Sequence, residues 1–90
     1  NGVELAQDIA KMSMMSDRRM KTDIRHIGHY GRLKLYEWLW LPGIKSSKGA
    51  LMLNVGFMAD EVQEVFPDCV ESINGILHIT NIPKVLEAAL

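Results

Sequence analysis

The sequence predicts a small mixed α+β domain, and three features carry that reading. Residues 32–41 alternate strictly between two faces, as a strand does. An Asn74-Gly75 pair sits between two short apolar runs, the signature of a tight hairpin. Between them, residues 58–66 carry apolar side chains at helical spacing and stop at Phe66-Pro67. Short strands mixed with short helices, without a repeating strand–helix alternation, point to α+β architecture.

In chain order, residues 3–12 place Leu5, Ile9 and Met12 at helical spacing, so a helix is expected there; an alternating strand fits less well. Residues 13–16 are small or flexible and read as a connector, with Ser16 a helix N-cap or turn residue. Residues 16–25 mix charges closely, and Met20 and Ile24 form an i, i+4 pair compatible with one helical turn. Gly28 and Gly31 bracket His29 and Tyr30 and are expected to break regular structure. In the alternating run, Leu33, Leu35, Glu37, Leu39 and Leu41 share one face, and Lys34, Tyr36, Trp38 and Trp40 the other. Large apolar groups on both faces predict a strand buried on one side and partly covered on the other. Pro42-Gly43 ends it, and residues 45–49 read as a polar loop or hairpin tip.

Residues 51–57 form a second apolar run, read as a strand and hairpin partner of the first. The helix over 59–65 packs Met58, Val62, Val65 and Phe66 inward and turns Asp60, Glu61 and Glu64 to solvent. Residues 69–72 and 76–79 are the arms of the Asn74-Gly75 hairpin. Asn81 and Pro83 open a last helix, with Val85, Leu86 and Leu90 as its apolar positions.

Composition narrows the function classes. Hydrophobic residues make up 48% of the 90. A domain of this size buries only roughly 60–65% of its unfolded surface, so some apolar surface is expected to lie against another chain. Cys69 is alone, which excludes a disulfide scaffold, and no Cys/His cluster suggests a zinc site. No metal or cofactor is expected. No run reaches the ~18 apolar residues of a membrane-spanning helix. Glu4 and Asp8 interrupt the first apolar stretch, and no basic leader precedes it, so no secretion signal is read. Asn1 in place of an initiator Met suggests a piece of a longer chain.

The net charge of −1 hides an asymmetry. Residues 16–34 carry Arg18, Arg19, Lys21, Arg25, Arg32 and Lys34 against Asp17 and Asp23, a net of +4, whereas residues 35–90 sum to −4. Such halves attract within a chain or between subunits. Nucleic-acid binding through residues 18–34 is a rival reading, with Tyr36, Trp38 and Trp40 stacking on bases. The interleaved Asp17 and Asp23 and the acidic second half oppose it, and packing is the simpler role for the aromatics.

One segment is more specific. Residues 16–24, Ser-Asp-Arg-Arg-Met-Lys-Thr-Asp-Ile, resemble the opening signature of the intramolecular chaperone and autoprotease domain of phage endosialidases, tailspikes and tail fibres, also found in the myelin regulatory factor family. Residues 56–68, a glycine, an apolar pair and an acidic helix ending in Phe-Pro, resemble that family's second motif. The aromatic strand ending at Trp40 and the turn, strand and helix from Asn74 onward follow in matching order, so the likeness spans residues 16–90.

The resemblance implies self-cleavage between Met15 and Ser16, with Ser16 as nucleophile and Lys21 as base, and with Asp17, Arg18 and Arg19 as supporting residues. It implies a homotrimer whose assembly licenses the cut, and a client in the upstream segment of the same chain, here residues 1–15. The expected setting is a virion tail, or the host cytoplasm during phage assembly; no nucleic acid or membrane is involved. A non-cleaving trimerisation module of a virion protein is the alternative.

A serine hydroxyl needs a neighbouring base, and lysine serves only when neutral. Burial or nearby positive charge, such as Arg18 and Arg19, must therefore lower its pKa. At i+5 the two side chains diverge on an ideal helix and face apart on a strand, so contact requires a turn or cap at Ser16, which the connector before it permits. Backbone N–H groups near that turn are the expected oxyanion donors. His26 and His29 read as polar loop residues, His78 as a structural strand residue, and Met12, Met14, Met15 and Met20 as interface filling.

Overall fold

A computed structural model describes residues 13–46 and 50–90. The expected helix over residues 3–12, with Leu5, Ile9 and Met12, lies outside the described residues, as do residues 47–49 of the polar loop. The remainder is α+β, with two three-stranded antiparallel sheets and two helices.

Strand β1 is Met14–Met15, and a 3₁₀ turn follows at Arg18–Met20. Strands β2, Lys21–Tyr30, and β3, Leu33–Trp40, form a long hairpin whose outer partner is the short β4, Val55–Gly56. Helix α1 spans Ala59–Val65. A second 3₁₀ turn, Pro67–Cys69, leads into β5, Val70–Ile73, and β6, Ile76–Ile79. Helix α2, Ile82–Ala89, closes the fold. The sheets run β1-β6-β5 and β2-β3-β4.

The hairpin at Asn74-Gly75 forms as its sequence predicts. Both residues take positive φ, 53° and 80°, the geometry a two-residue turn between twisted strands requires. The middle helix occupies the expected residues because Pro67 cannot continue it. It buries Ala59 and Val62, while Val65 stays exposed, unlike its expected inward placement. Helix α2 likewise buries Val85 and Ala89, leaving Leu90 exposed.

Three segments differ from the sequence expectation. Residues 13–16 are not a free connector, because Met14 and Met15 pair with Ile79 and His78 on β6. Residues 16–25 form no α-helical turn: three residues of 3₁₀ turn pass directly into β2, which runs on through Gly28. That strand tolerates glycine because irregularities between Thr22 and Arg25, and between His26 and Gly28, absorb the misfit while β3 supplies partners. Residues 51–57 split between two sheets. Leu51 bridges in parallel to Met14, and only Val55–Gly56 pairs with β3.

The main core joins both helices to both sheets through Leu33, Phe57, Val62, Ile79, Val85 and Ala89, with Ala59 and Cys69 beside them. A smaller cluster of Tyr36, Trp38 and Met58 packs with Ile24 and Trp40. The alternation in β3 thus separates the two cores, and Leu39 on the leucine face is left exposed.

The turn of the long hairpin touches the end of α2. Gly31 has φ +56°, and a Cβ there would lie 1.9 Å from the carbonyl oxygen of Ala89. The Arg32 N–H donates to that same oxygen at 2.9 Å. Gly31→Ala is therefore expected to lower stability by about 2 kcal/mol or more in chemical denaturation. Gly28→Ala, which meets nothing within 4 Å, should change it by less than about 1 kcal/mol.

Candidate active site

Ser16 directly follows β1, and its main chain is fastened on two sides. Its N–H donates to the Leu77 carbonyl at 3.2 Å, and its carbonyl accepts from the Ala59 N–H at 2.9 Å. One bond ties it to β6 and the other to the first residue of α1. Its side chain is fully buried, and the hydroxyl donates to the Phe57 carbonyl. The preceding Met15 is also fully buried; its N–H donates to Leu51 at 3.0 Å.

Asp17 builds the turn. As N-cap of the 3₁₀ turn, its Oδ1 accepts from the Arg19 N–H at 2.9 Å and from Arg19 Nε at 3.0 Å. Oδ2 accepts from Arg19 Nη2 at 2.6 Å and from the Leu77 N–H at 2.9 Å. Arg19 Nη2 continues to the Gly75 carbonyl at 2.7 Å. The Arg19 side chain, aided by the two amides and opposed by burial, holds the Asp17 carboxyl down at about 2. Asp17 rather than Ser16 is the capping residue; Ser16 turns inward instead.

This turn solves the i+5 problem. With three residues wound as 3₁₀ between extended neighbours, Lys21 Nζ comes to 3.2 Å from Ser16 Oγ, a hydrogen bond in which the amine donates. The amine lies 3.7 Å from the Trp38 ring centroid, 5.4 Å from that of Trp40 and 3.7 Å from Met58 Sδ. Lys21 pairs across the ladder with Trp40, and Trp38 lies two residues back on the same face.

Burial is the main cause that lowers the Lys21 pKa, to about 7. Asp17 and Asp60 oppose the shift, and Arg18 adds to it. The two arginines therefore differ. Arg19 is committed to Asp17, whereas Arg18 bonds to Glu61 at 2.9 Å and Asp60 at 3.4 Å, with its guanidinium 5.9 Å from the Tyr36 ring centroid. Tyr36 Oη in turn donates to Glu61 at 2.7 Å. Asp60 and Glu61 are thus not a merely solvated face; they clasp the 3₁₀ turn to α1. Of the turn amides, Arg19 N–H and Met20 N–H are engaged, since both bond to Asp17.

Trp38, Trp40 and Met58 read from the sequence as packing residues, and the Phe57 carbonyl carries no sequence signal, yet all four surround the Ser16–Lys21 pair. The Trp-x-Trp alternation opposite Lys21 was the available signal. The two histidines of β2 lie in a strand instead of the expected loop; both are exposed, with ring centroids 4.9 Å apart. His78 is buried, with Nδ1 2.8 Å from the Ile76 carbonyl. No group of three metal-binding side chains occurs among the described residues, and no helix there is long and apolar enough to cross a membrane.

A protein-family model described as chaperone of endosialidase matches residues 16–71. No curated protein and no solved structure matches the chain.

Two measurements test this geometry. In a chain carrying Ser16→Ala, Lys21 is expected to titrate near 7 by NMR, far below the usual lysine value of 10.5. The folded pKa lies below the unfolded one, so stability should rise with pH between about 7 and 10.5 as the folded form sheds its buried charge. For Asp17 the folded pKa is also the lower one, so stability again rises with pH, here between about 2 and 3.8. Its stabilisation is present above 3.8 and is lost as pH falls through about 2. Asp17→Ala should lower stability by about 2–3 kcal/mol, because the Leu77 and Arg19 donors lose their acceptor.

Proposed function

Because the chain belongs to the chaperone-of-endosialidase peptidase family, we propose that it is an intramolecular chaperone that cleaves its own chain between Met15 and Ser16. The observation that carries this reading is the 3.2 Å approach of Lys21 Nζ to Ser16 Oγ within a buried site. Residues 16–90 form the chaperone and autoprotease domain, and residues 1–15 are the end of the protein it folds.

The chemistry runs as an intramolecular acyl transfer. Lys21 first releases its proton to solvent, and the Ser16 hydroxyl rotates from the Phe57 carbonyl toward the neutral amine. Nζ takes the hydroxyl proton as Oγ attacks the Met15 carbonyl carbon. The C–N bond then breaks, and the departing Ser16 nitrogen receives the proton held on Nζ. The result is an ester between the Met15 acyl group and Ser16 Oγ. Water hydrolyses it to a Met15 carboxylate and a free Ser16 hydroxyl. The bond from Ser16 N–H to Leu77 holds the scissile peptide against β6 beforehand, which reduces the ordering the reaction requires.

The assembly in this reading is a homotrimer on a phage tail fibre or tailspike, acting in the virion tail or in the host cytoplasm during assembly. Exposed apolar side chains support association. Leu39 and Val55 line one hollow along β3 and β4, and Leu53 is also exposed. A non-cleaving trimerisation module is the second reading, favoured by the Ser16 hydroxyl pointing at Phe57 and not at Lys21.

Expression of the parent chain is expected to yield a fragment whose mass begins at Ser16. Ser16→Ala should abolish it, and Lys21→Met should slow it by about 100-fold or more. An uncut parent chain at pH 8, or unchanged cutting in either variant, would refute self-cleavage. The rate should climb with pH through about 7, because only neutral Lys21 accepts the proton. At pH 6 it should be about tenfold below the plateau.

A further inference from the structure

The wall around Lys21 contains more than apolar bulk. The amine is centred 3.7 Å from the middle of the Trp38 ring, close enough for a direct ammonium–indole attraction, and Trp40 meets Trp38 edge to face at 5.9 Å and 89°. Trp38 is almost wholly buried, and the indole N–H groups of Trp38 and Trp40 have no hydrogen-bond partner among the described residues. No hydrogen bond fixes how the rings present their faces; packing and the cation above them do so. No carboxylate among the described residues contacts the amine. Asp17 is saturated by Arg19 and Leu77, and Asp60 is engaged by Arg18. Arg18 is the one cation among the charges that act on the amine from the turn and α1, and the facing strand contributes Tyr36, whose hydroxyl is bonded to Glu61. A protonated Lys21 thus has three contacts in direct reach, the Ser16 oxygen, the weakly accepting Met58 sulfur and the Trp38 face.

We propose that Trp38, backed by Trp40, is a positioning residue that retains the proton on Lys21: its face holds the ammonium form over Ser16 and sets the pH at which the free base appears. Burial pushes the amine toward neutrality, and the indole face limits that push. The device keeps the nucleophile's neighbour charged, and therefore idle, until the proton departs to solvent. This inference rests on the reading of Lys21 as the base, but its central claim concerns Lys21 alone and is measurable without cleavage.

The test uses the full parent chain. Monofluorinated and then trifluorinated tryptophan replace tryptophan biosynthetically, which drains electron density from the ring faces at nearly constant shape. In the Ser16→Ala chain, the NMR titration midpoint of Lys21 is expected to fall with each added fluorine, reaching about one pH unit for the most fluorinated ring. Trp38→Phe, with a weaker face, should lower it by a smaller amount. In the Ser16 chain, the pH midpoint of the cleavage rate should fall in parallel. A midpoint that stays fixed or rises across the fluorinated series overturns the proposal and leaves Trp38 as a packing wall. A chain that never cuts, yet shows the falling Lys21 midpoint, sinks self-cleavage and keeps the cradle. Cutting with an unmoved midpoint does the reverse.

Discussion

Everything in the site depends on keeping an amine out of water without giving it a carboxylate. A lysine in contact with Asp or Glu would hold its proton firmly, and one on the surface would titrate near its ordinary value. Lys21 avoids both. It stands at the start of β2, under Trp38 and Met58, and its nearest hydrogen-bond acceptor is a neutral hydroxyl. The acids nearby are occupied elsewhere: Asp17 faces Arg19 and two amides, and Asp60 and Glu61 face Arg18. The second hydrophobic cluster, too small to hold a fold together, makes sense as the dry wall of this pocket.

The other half of the pair is positioned by backbone rather than by side chains. Ser16 is bonded through its N–H to β6 and through its carbonyl to α1, so its Cα cannot shift without disturbing both sheet and helix. Asp17 adds the third point by bridging the turn to Leu77. A serine held this way is ordered before any chemistry, which is what the proposed attack requires of it. The same arrangement joins the geometry of Ser16 to the main core, since Ile79 and Ala59 lie in it.

Much of this was legible in the residues. Asn74-Gly75 fixes a turn that only positive φ allows, and Phe66-Pro67 ends a helix that cannot continue. The likeness of residues 16–24 to the chaperone family named the Ser16–Lys21 pair, and the i+5 spacing demanded a turn or cap if the two were to touch. What stayed hidden was non-local. Residues 51–57 read as one strand because their pattern is uniformly apolar, but their two ends belong to different sheets. Met14-Met15 carries no strand signal of its own and is extended because β6 offers it partners. Gly28 reads as a breaker in isolation and is overruled by the long ladder with β3. Asp60 and Glu61 read as solvent-facing because nothing in a helical pattern reveals that Arg18 will lie across from them.

The Asp17–Leu77 bond also sets a clock. Its two ends are 60 residues apart, and the bond between Ser16 and Leu77 spans one residue more. A ribosome working at ~5–20 residues per second needs about 3–12 s to make that stretch. Until the hairpin of β5 and β6 has emerged and docked, Asp17 lacks one of its donors and Ser16 has no strand to lie against. Ser16 and Asp17 are thus made before the strand that fastens them, and their arrangement is complete only once β5 and β6 have docked.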